Sequence, residues 1–457
     1  MQQVQQENKM GVMPVNRLII TMSLPMIVSM LVTALYNVVD SIFVARIGEK
    51  ALTAVSLSFP IQNLMSAIST GTGVGINALL SMNLGRKDFK AVGKVASNGL
   101  FLAACSSVLF IIFGFFFTPF FFKSQTSDLE IIQYGCDYLK ICSIFCFGLF
   151  LQITNDRILQ ATGKTIYTMF TQGTGAVINI ILDPILIFGL LGFPALGVAG
   201  AAWATIIGQI AGMFLSIFFN VTKNHEVQLD VKHFKPHLQT IRAIYAIGIP
   251  SIIMASIVSV MTFGMNKILM VFTSTATAVF GVYIKLNSFV FMPVFGLNNG
   301  MIPIISYNYG AQNRLRIKKT IILCIIYATL IMTVGFAIFQ IFPETLLSFF
   351  KASPEMIEIG VPALRIISIS FLMAGYGIVS GSVFQALGKG VLSMNVSLVR
   401  QLTVLLPVAW LMARTGNLNL VWWAFPLADV AAVTLCTIFI KKTYNKEIRP
   451  LPEGKPA

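Results

Sequence analysis

Charge is what this sequence lacks. Only 11% of its 457 residues are Asp, Glu, Lys or Arg, where a soluble domain carries about a quarter. With 56% apolar residues and a mean hydropathy of +0.82, that shortage excludes a soluble domain and indicates a polytopic membrane protein. Histidine is scarcer still: His225, His233 and His237 all fall in one polar connector, which leaves none for a metal site or proton relay inside the membrane. The six cysteines have no CxxC spacing and lie in or beside apolar runs, so they read as small core residues, neither metal ligands nor a disulfide framework. No HExxH, nucleophile elbow or Walker sequence occurs, which argues against a membrane enzyme and against ATP-driven transport. No nucleic-acid motif accompanies the net charge of +15, so no nucleic-acid partner is expected.

What is present is a series of apolar segments: 17–44, 52–80, 93–119, 131–155, 165–190, 194–220, 241–271, 276–306, 320–342, 356–382, 390–413 and 418–440. They lack the alternation of barrel strands, and in lipid only helices or closed barrels satisfy the backbone. The expected fold is therefore all-α, with twelve transmembrane helices. With the N-terminus inside, 22 Lys and Arg fall in inner connectors against five in outer ones. That asymmetry predicts a multi-pass protein with both termini cytoplasmic. The first run has no A-x-A-like end, so it is expected to be a retained span.

The longest polar connector, 221–240, divides the chain six plus six. Three blocks then recur at one offset of 225 residues: LPMI at 24–27 as IPSI, GINALLSMNLG at 75–85 as GMIPIISYNYG, and QATGKTIYTM at 160–169 as QALGKGVLSM. Chance rarely keeps one register across three separate blocks, so the halves are a repeat. An even number of spans per copy makes the repeats parallel, related by a pseudo-twofold axis along the membrane normal. The expected lobes are 1–220 and 241–440, joined by the connector and followed by a cytoplasmic tail, 441–457.

Two carboxylates interrupt the apolar runs of the first lobe. Asp40 follows roughly twenty-three nearly pure apolar residues, enough at about 1.5 Å each to cover most of a bilayer core. An ionisable residue at such depth is a functional-site hypothesis by default. Tyr36 and Asn37, at i−4 and i−3, extend a polar stripe that must face the lobe interior. Asp183 lies in NIILDPILIF, with Asn179 one turn before it on the same face and Pro184 freeing carbonyls nearby. A carboxylate, an amide and loosened carbonyls suit a proton or a hard cation such as Na⁺. The plain alternatives are an Asp40 satisfied by a neighbouring hydroxyl and an Asp–Pro pair that merely bends its helix. Tyr138 and Thr205 fall at comparable depths, and Asn155 and Asp156 make a further polar spot nearer the inner end. Pro25 and Pro184 are the expected bend points. In the second lobe Asp429 is the only deep carboxylate, and Lys267, Lys285 and Arg365 are its notable cations.

The duplicated pattern resembles the multidrug and toxin extrusion (MATE) family over about residues 14–440. The resemblance is carried by LPMIVSMLVTALYNVVDSIFVARIG, GVGINALLSMNLGRKD, QATGK, NIILDPILIFG, GVAGAAWAT, MPVFGLNNGMIPIISYNYGAQN and QALGK, with NIILDPILIFG most like the MepA-like and DinF-like bacterial branches. It implies a first-lobe network at Asp40, Asn179, Asp183, Tyr138 and Thr205 that binds Na⁺ or carries H⁺. Asn155 and Asp156 stand where the family also places polar residues. The second lobe lacks the carboxylates that the NorM-like branch uses, so coupling is expected in the first lobe. The function so implied is secondary active efflux of organic cations in exchange for H⁺ or Na⁺, by rocker-type alternating access in a bacterial cell membrane. No cofactor is expected, and a monomer is expected to suffice. The 37 Phe and 21 Met suit an adaptable cavity for organic cations. The alternative is a lipid-linked oligosaccharide flippase of the same superfamily, which would want a more cationic cavity and further helices.

Overall fold

A computed structural model describes residues 7–229 and 234–454; the histidine at 233, the first six residues and the end of the expected tail lie outside them. Every long apolar segment is helical, because a backbone without water must bond to itself. In the first half these are α1 (Val15–Ala45), α2 (Glu49–Gly85), α3 (Phe89–Phe116), α4 (Leu129–Ile144), α5 (Phe147–Ala161), α6 (Thr165–Phe188) and α7 (Val198–Lys223). The second half has α8 (Leu238–Met270), α9 (Ser274–Gly310), α10 (Arg314–Ile341), α11 (Pro354–Ser368), α12 (Phe371–Ala386), α13 (Gly390–Leu398), α14 (Leu406–Ala413) and α15 (Ala424–Thr443). A π-helical stretch, Val399–Leu405, joins α13 to α14. No described residue is in a strand. Side-chain caps set several starts: Asp88 accepts from the Ala91 N–H at 2.9 Å and Asn313 from the Arg316 N–H at 3.1 Å, each filling an orphan donor of a first turn.

Among the described residues ten helices are long and apolar enough to span a membrane, and two bent pairs bring the number to twelve where each pair counts as one span. The pairs are α4–α5, bent by 44°, and α11–α12, bent by 49°. Neither break contains proline, whereas α1 and α6 run on through Pro25 and Pro184. The breaks fall at Phe145 and Ser370, 225 residues apart, and local i→i+3 bonds such as Gly148 N–H to Phe145 C=O and Met373 N–H to Ser370 C=O tighten the chain there.

The repeat also reaches the hydrogen bonds. Ser81 donates to the Ala161 carbonyl at 2.9 Å, and Ser306 to the Ala386 carbonyl at 2.8 Å. Thr168 donates to the Asp156 carbonyl at 3.4 Å, and Ser393 to the Gly381 carbonyl at 2.8 Å. Lys164 pairs with Glu226 at 3.5 Å, and Lys389 with Glu447 at 2.7 Å.

The chain forms two compact units, residues 28–248 and residues 1–27 together with 249–457. The opening of the chain therefore packs with the second half. There the buried Arg316 donates to the Met10 and Met13 carbonyls at 3.0 and 2.7 Å and to Asn308 Oδ1 at 3.1 Å. Asn308 Nδ2 donates to the same Met10 carbonyl at 3.1 Å. In the first unit the His237 N–H, at the start of α8, donates to Asn98 Oδ1 at 2.9 Å.

Candidate functional site

Five helices of the first unit converge on Asp40. Helix α6 presents Asn179 and Asp183 one turn apart, 2% and 0% exposed. Helix α7 lies directly against it: a Cβ on Gly208 would sit 2.5 Å from the Gly175 carbonyl oxygen, and one on Gly200 2.5 Å from that of Leu186. Only glycine permits so close a backbone approach, and it lets Asn179 Nδ2 reach Thr205 Oγ1 at 3.2 Å while lying 3.4 Å from Asp183 Oδ1. Helix α4 adds Tyr138, 3% exposed. Helix α2 holds it through Gln62, whose amide donates to the Tyr138 hydroxyl at 3.2 Å and to Cys142 Sγ at 3.8 Å.

Asp40 and Asp183 lie close enough for their carboxyls to interact, and Tyr36 and Tyr138 stand near both. Three oxygens of this cluster, Asp40 Oδ1, Asn179 Oδ1 and Asp183 Oδ2, are buried without any N–H or hydroxyl donor. Two neighbouring carboxylates repel as anions in a poor dielectric. A shared proton or an intervening cation relieves the repulsion, and three donor-free oxygens are the ligands that a hard cation takes. Towards the ends of α1 and α6 the cluster is closed by an apolar group: Val44, Ala51, Cys142, Ile187, Val198, Ala201 and Ala202. All five residues expected to couple ions therefore come together, and Tyr36 joins them. Asn37 does not: it is exposed, one position round the helix from Tyr36.

Asn155 and Asp156 form a second cluster, inside helix α5 and buried to 4% and 1% exposure. Asp156 accepts from Thr171 Oγ1 at 2.6 Å and from Gln172 Nε2 at 3.2 Å. The Gln172 Oε1 accepts in turn from the Ser29 hydroxyl of α1. Asn220 Nδ2 donates to Asn155 Oδ1 at 3.2 Å, Asn224 to Asn220 at 3.0 Å, and Lys164 to Asn224 at 3.2 Å. Burial pulls the Lys164 ammonium below the ordinary lysine value, against the opposing pull of Glu226. Gln172 and Asn179 lie seven residues apart on one face of α6, so the two clusters stack about 10 Å apart along that helix.

In the second unit the deep Asp429 is paired, by a residue that the sequence reading did not single out. Arg400 binds it in bidentate fashion, Nε to Oδ1 at 2.5 Å and Nη2 to Oδ2 at 3.2 Å. Arg400 lies in the π-helical stretch, and an arginine inside an apolar segment is the same signal that marks Asp40. Gln62 was missed as well; an amide in an apolar run is a weaker signal of the same kind. Lys267, Lys285 and Arg365 are exposed, with Lys267 5.7 Å over the Phe263 ring and Lys285 6.0 Å over Phe350.

A sequence model of the MatE family matches residues 25–185 and 250–411, two copies whose starts are 225 residues apart. The multidrug export protein MepA of Staphylococcus haemolyticus (strain JCSC1435) is 29% identical over 426 residues, 93% of this chain and 93% of its own. The protein of the same name from Staphylococcus aureus (strain NCTC 8325 / PS 47) is 25% identical over 445 residues, 96% of this chain and 97% of its own. Among solved structures, one of a multidrug resistance MATE family transporter of the MOP superfamily in its outward-facing conformation superposes with a TM-score of 0.91 at 22% identity, covering 97% of this chain and 99% of that one. A MATE structure in complex with MaL6 gives 0.90 at 22% identity over 96% and 99%. With both repeats matched by one family and the same fold along nearly the whole length, the chain belongs to the MATE family, in its MepA-like branch.

Proposed function

We propose that this protein is a secondary active multidrug efflux antiporter, exporting organic cations in exchange for H⁺ or Na⁺. The observation that carries the ion-coupling half of this reading is the set of donor-free buried oxygens of Asp40, Asn179 and Asp183. The export half rests on the MepA relatives, which are named as multidrug export proteins. Asp40 and Asp183 take up one proton or one cation, which neutralises buried charge and lets α1 and α6 repack. That repacking favours the state that releases a cationic drug outward; discharge of the ion to the inside resets the site. An ion can drive this cycle only because it binds the two states with different affinities. Rocking of one repeat against the other supplies alternating access, as expected of parallel repeats.

The test is ethidium extrusion from cells or everted vesicles carrying Asp40→Asn. The variant keeps the shape of the side chain and removes its charge, so efflux is abolished while expression is unchanged; undiminished extrusion would sink the proposal. Proteoliposomes with separately imposed pH and Na⁺ gradients distinguish the two coupling ions.

A further inference from the structure

At the start of α10 the second unit carries a groove of about 390 Å³, lined by Val15, Leu315, Arg316, Lys318, Lys319 and Ile322 together with Leu323. Its floor is aliphatic. Arg316 forms one wall with its guanidinium committed to the Met10 and Met13 carbonyls, and Lys318 and Lys319 stand exposed at the rim. From Ile322 an aliphatic stripe continues along the helix at four-residue intervals: Ile322 and Ile326 are each 46% exposed, Leu330 59%, Val334 60% and Ile338 39%. A stripe of that composition on a spanning helix faces acyl chains. The groove therefore opens onto lipid at one end and onto two ammonium groups at the other.

The repeat supplies a control. Shifted by 225 residues, the groove maps onto the start of α3, where Gly93 and Lys94 replace Lys318 and Lys319. There the chain itself covers the surface. A Cβ on Gly93 would sit 2.5 Å from the Gln228 carbonyl oxygen, Asn98 holds the His237 N–H at 2.9 Å, and Phe234 packs on Phe101 with ring centroids 5.7 Å apart. The second copy has a lysine, Lys318, at the position of that glycine.

We propose that the α10 groove seats an anionic phospholipid of the cytoplasmic leaflet. Its phosphate lies between Lys318 and Lys319, and an acyl chain runs along Leu315, Ile322 and Leu323. The leaflet follows from the expected inward placement of the Arg314–Lys319 connector, where basic pockets between helices meet anionic headgroups. The assignment does not depend on which ion or drug is carried.

Native mass spectrometry of the full chain in detergent tests it, with phosphatidylglycerol and phosphatidylcholine of identical acyl chains as probes. Phosphatidylglycerol is retained in preference. Each lysine contributes roughly five-fold to its affinity, so Lys318→Gln with Lys319→Gln weakens binding roughly 30-fold. Ile322→Trp fills the apolar floor without changing charge and also weakens retention. Equal retention of the two lipids, or full retention by the double lysine variant, overturns the proposal. So does full retention by Ile322→Trp, which would reduce the effect to surface charge. None of these readouts is transport, so a transport-dead Asp40→Asn variant still binds lipid normally.

Discussion

Replacing Gly208 with alanine places a methyl group 2.5 Å from the Gly175 carbonyl oxygen and 3.5 Å from the Asn179 Cβ. Both helices are long and buried along this seam, so neither backbone can swing aside locally. Relief needs a separation of about 1 Å between α6 and α7, enough to restore van der Waals distance. The Asn179–Thr205 hydrogen bond spans 3.2 Å now and would open to about 4 Å, beyond the range in which it contributes. Asn179 and Asp183 sit on the same helix and move together. The substitution thus detaches α7 from the site while leaving the carboxyl and amide of α6 in register. Overpacking of this kind costs about 1–3 kcal/mol, which appears as a lowered melting temperature in detergent. Transport falls about ten-fold, as expected if roughly 1.4 kcal/mol of site organisation is lost. Gly173→Ala is the control, because a Cβ there meets nothing within 4 Å. Drug efflux measured in vesicles for both variants, at matched expression, decides the matter. Wild-type efflux and melting by Gly208→Ala would refute the claim that the close α6–α7 approach sets the site geometry.

Further outcomes follow from the other polar clusters. Asp156→Ala leaves the Thr171 hydroxyl on the Thr168 carbonyl at 2.9 Å but removes the acceptor of the half-buried Gln172 amide, which costs about 1 kcal/mol; thermal unfolding in detergent shows this, and an unchanged transition contradicts it. Arg400→Met leaves Asp429 buried and unpaired at a cost of about 3 kcal/mol, the low end for such pairs because the arginine side chain is 30% exposed. Adding Asp429→Leu recovers most of that loss, and a double variant as unstable as the sum of the singles would show that the two groups do not act as a pair.

The site was largely legible because its chemistry is expensive. A carboxylate deep in an apolar run stands out by itself, so Asp40 and Asp183 announce themselves, and helical spacing brings Asn179 along. Thr205 and Tyr138 needed the family resemblance, since a hydroxyl in a membrane helix is cheap and common. Arg400 was legible in principle but lies in a lobe where attention fell on cations nearer the helix ends. The bends at Phe145 and Ser370 were not legible. Proline is the sequence mark of a bend, yet Pro25 and Pro184 sit in unbroken helices, and the two sharp breaks have only a few tightened backbone bonds to mark them. Asn37 was misplaced by a single step: i−3 and i−4 both count as one face of a helix, but only Tyr36 turns inward.

The division of the chain at residues 27 and 249 bears on how the protein is made. The unit of residues 28–248 is continuous and can close as soon as its own helices have emerged. The other has its first 27 residues separated from the rest by about 220 residues of intervening chain. At the usual pace of synthesis that gap lasts roughly 10–45 s. The Met10 and Met13 carbonyls wait longer, about 15–60 s, because Arg316 lies 306 and 303 residues further along. A chain halted after residue 248 would carry the whole of the continuous unit with a leading segment whose partners are still missing. The boundary of the repeat in sequence and the boundary of the compact units therefore do not coincide, because the beginning of the protein packs with its end.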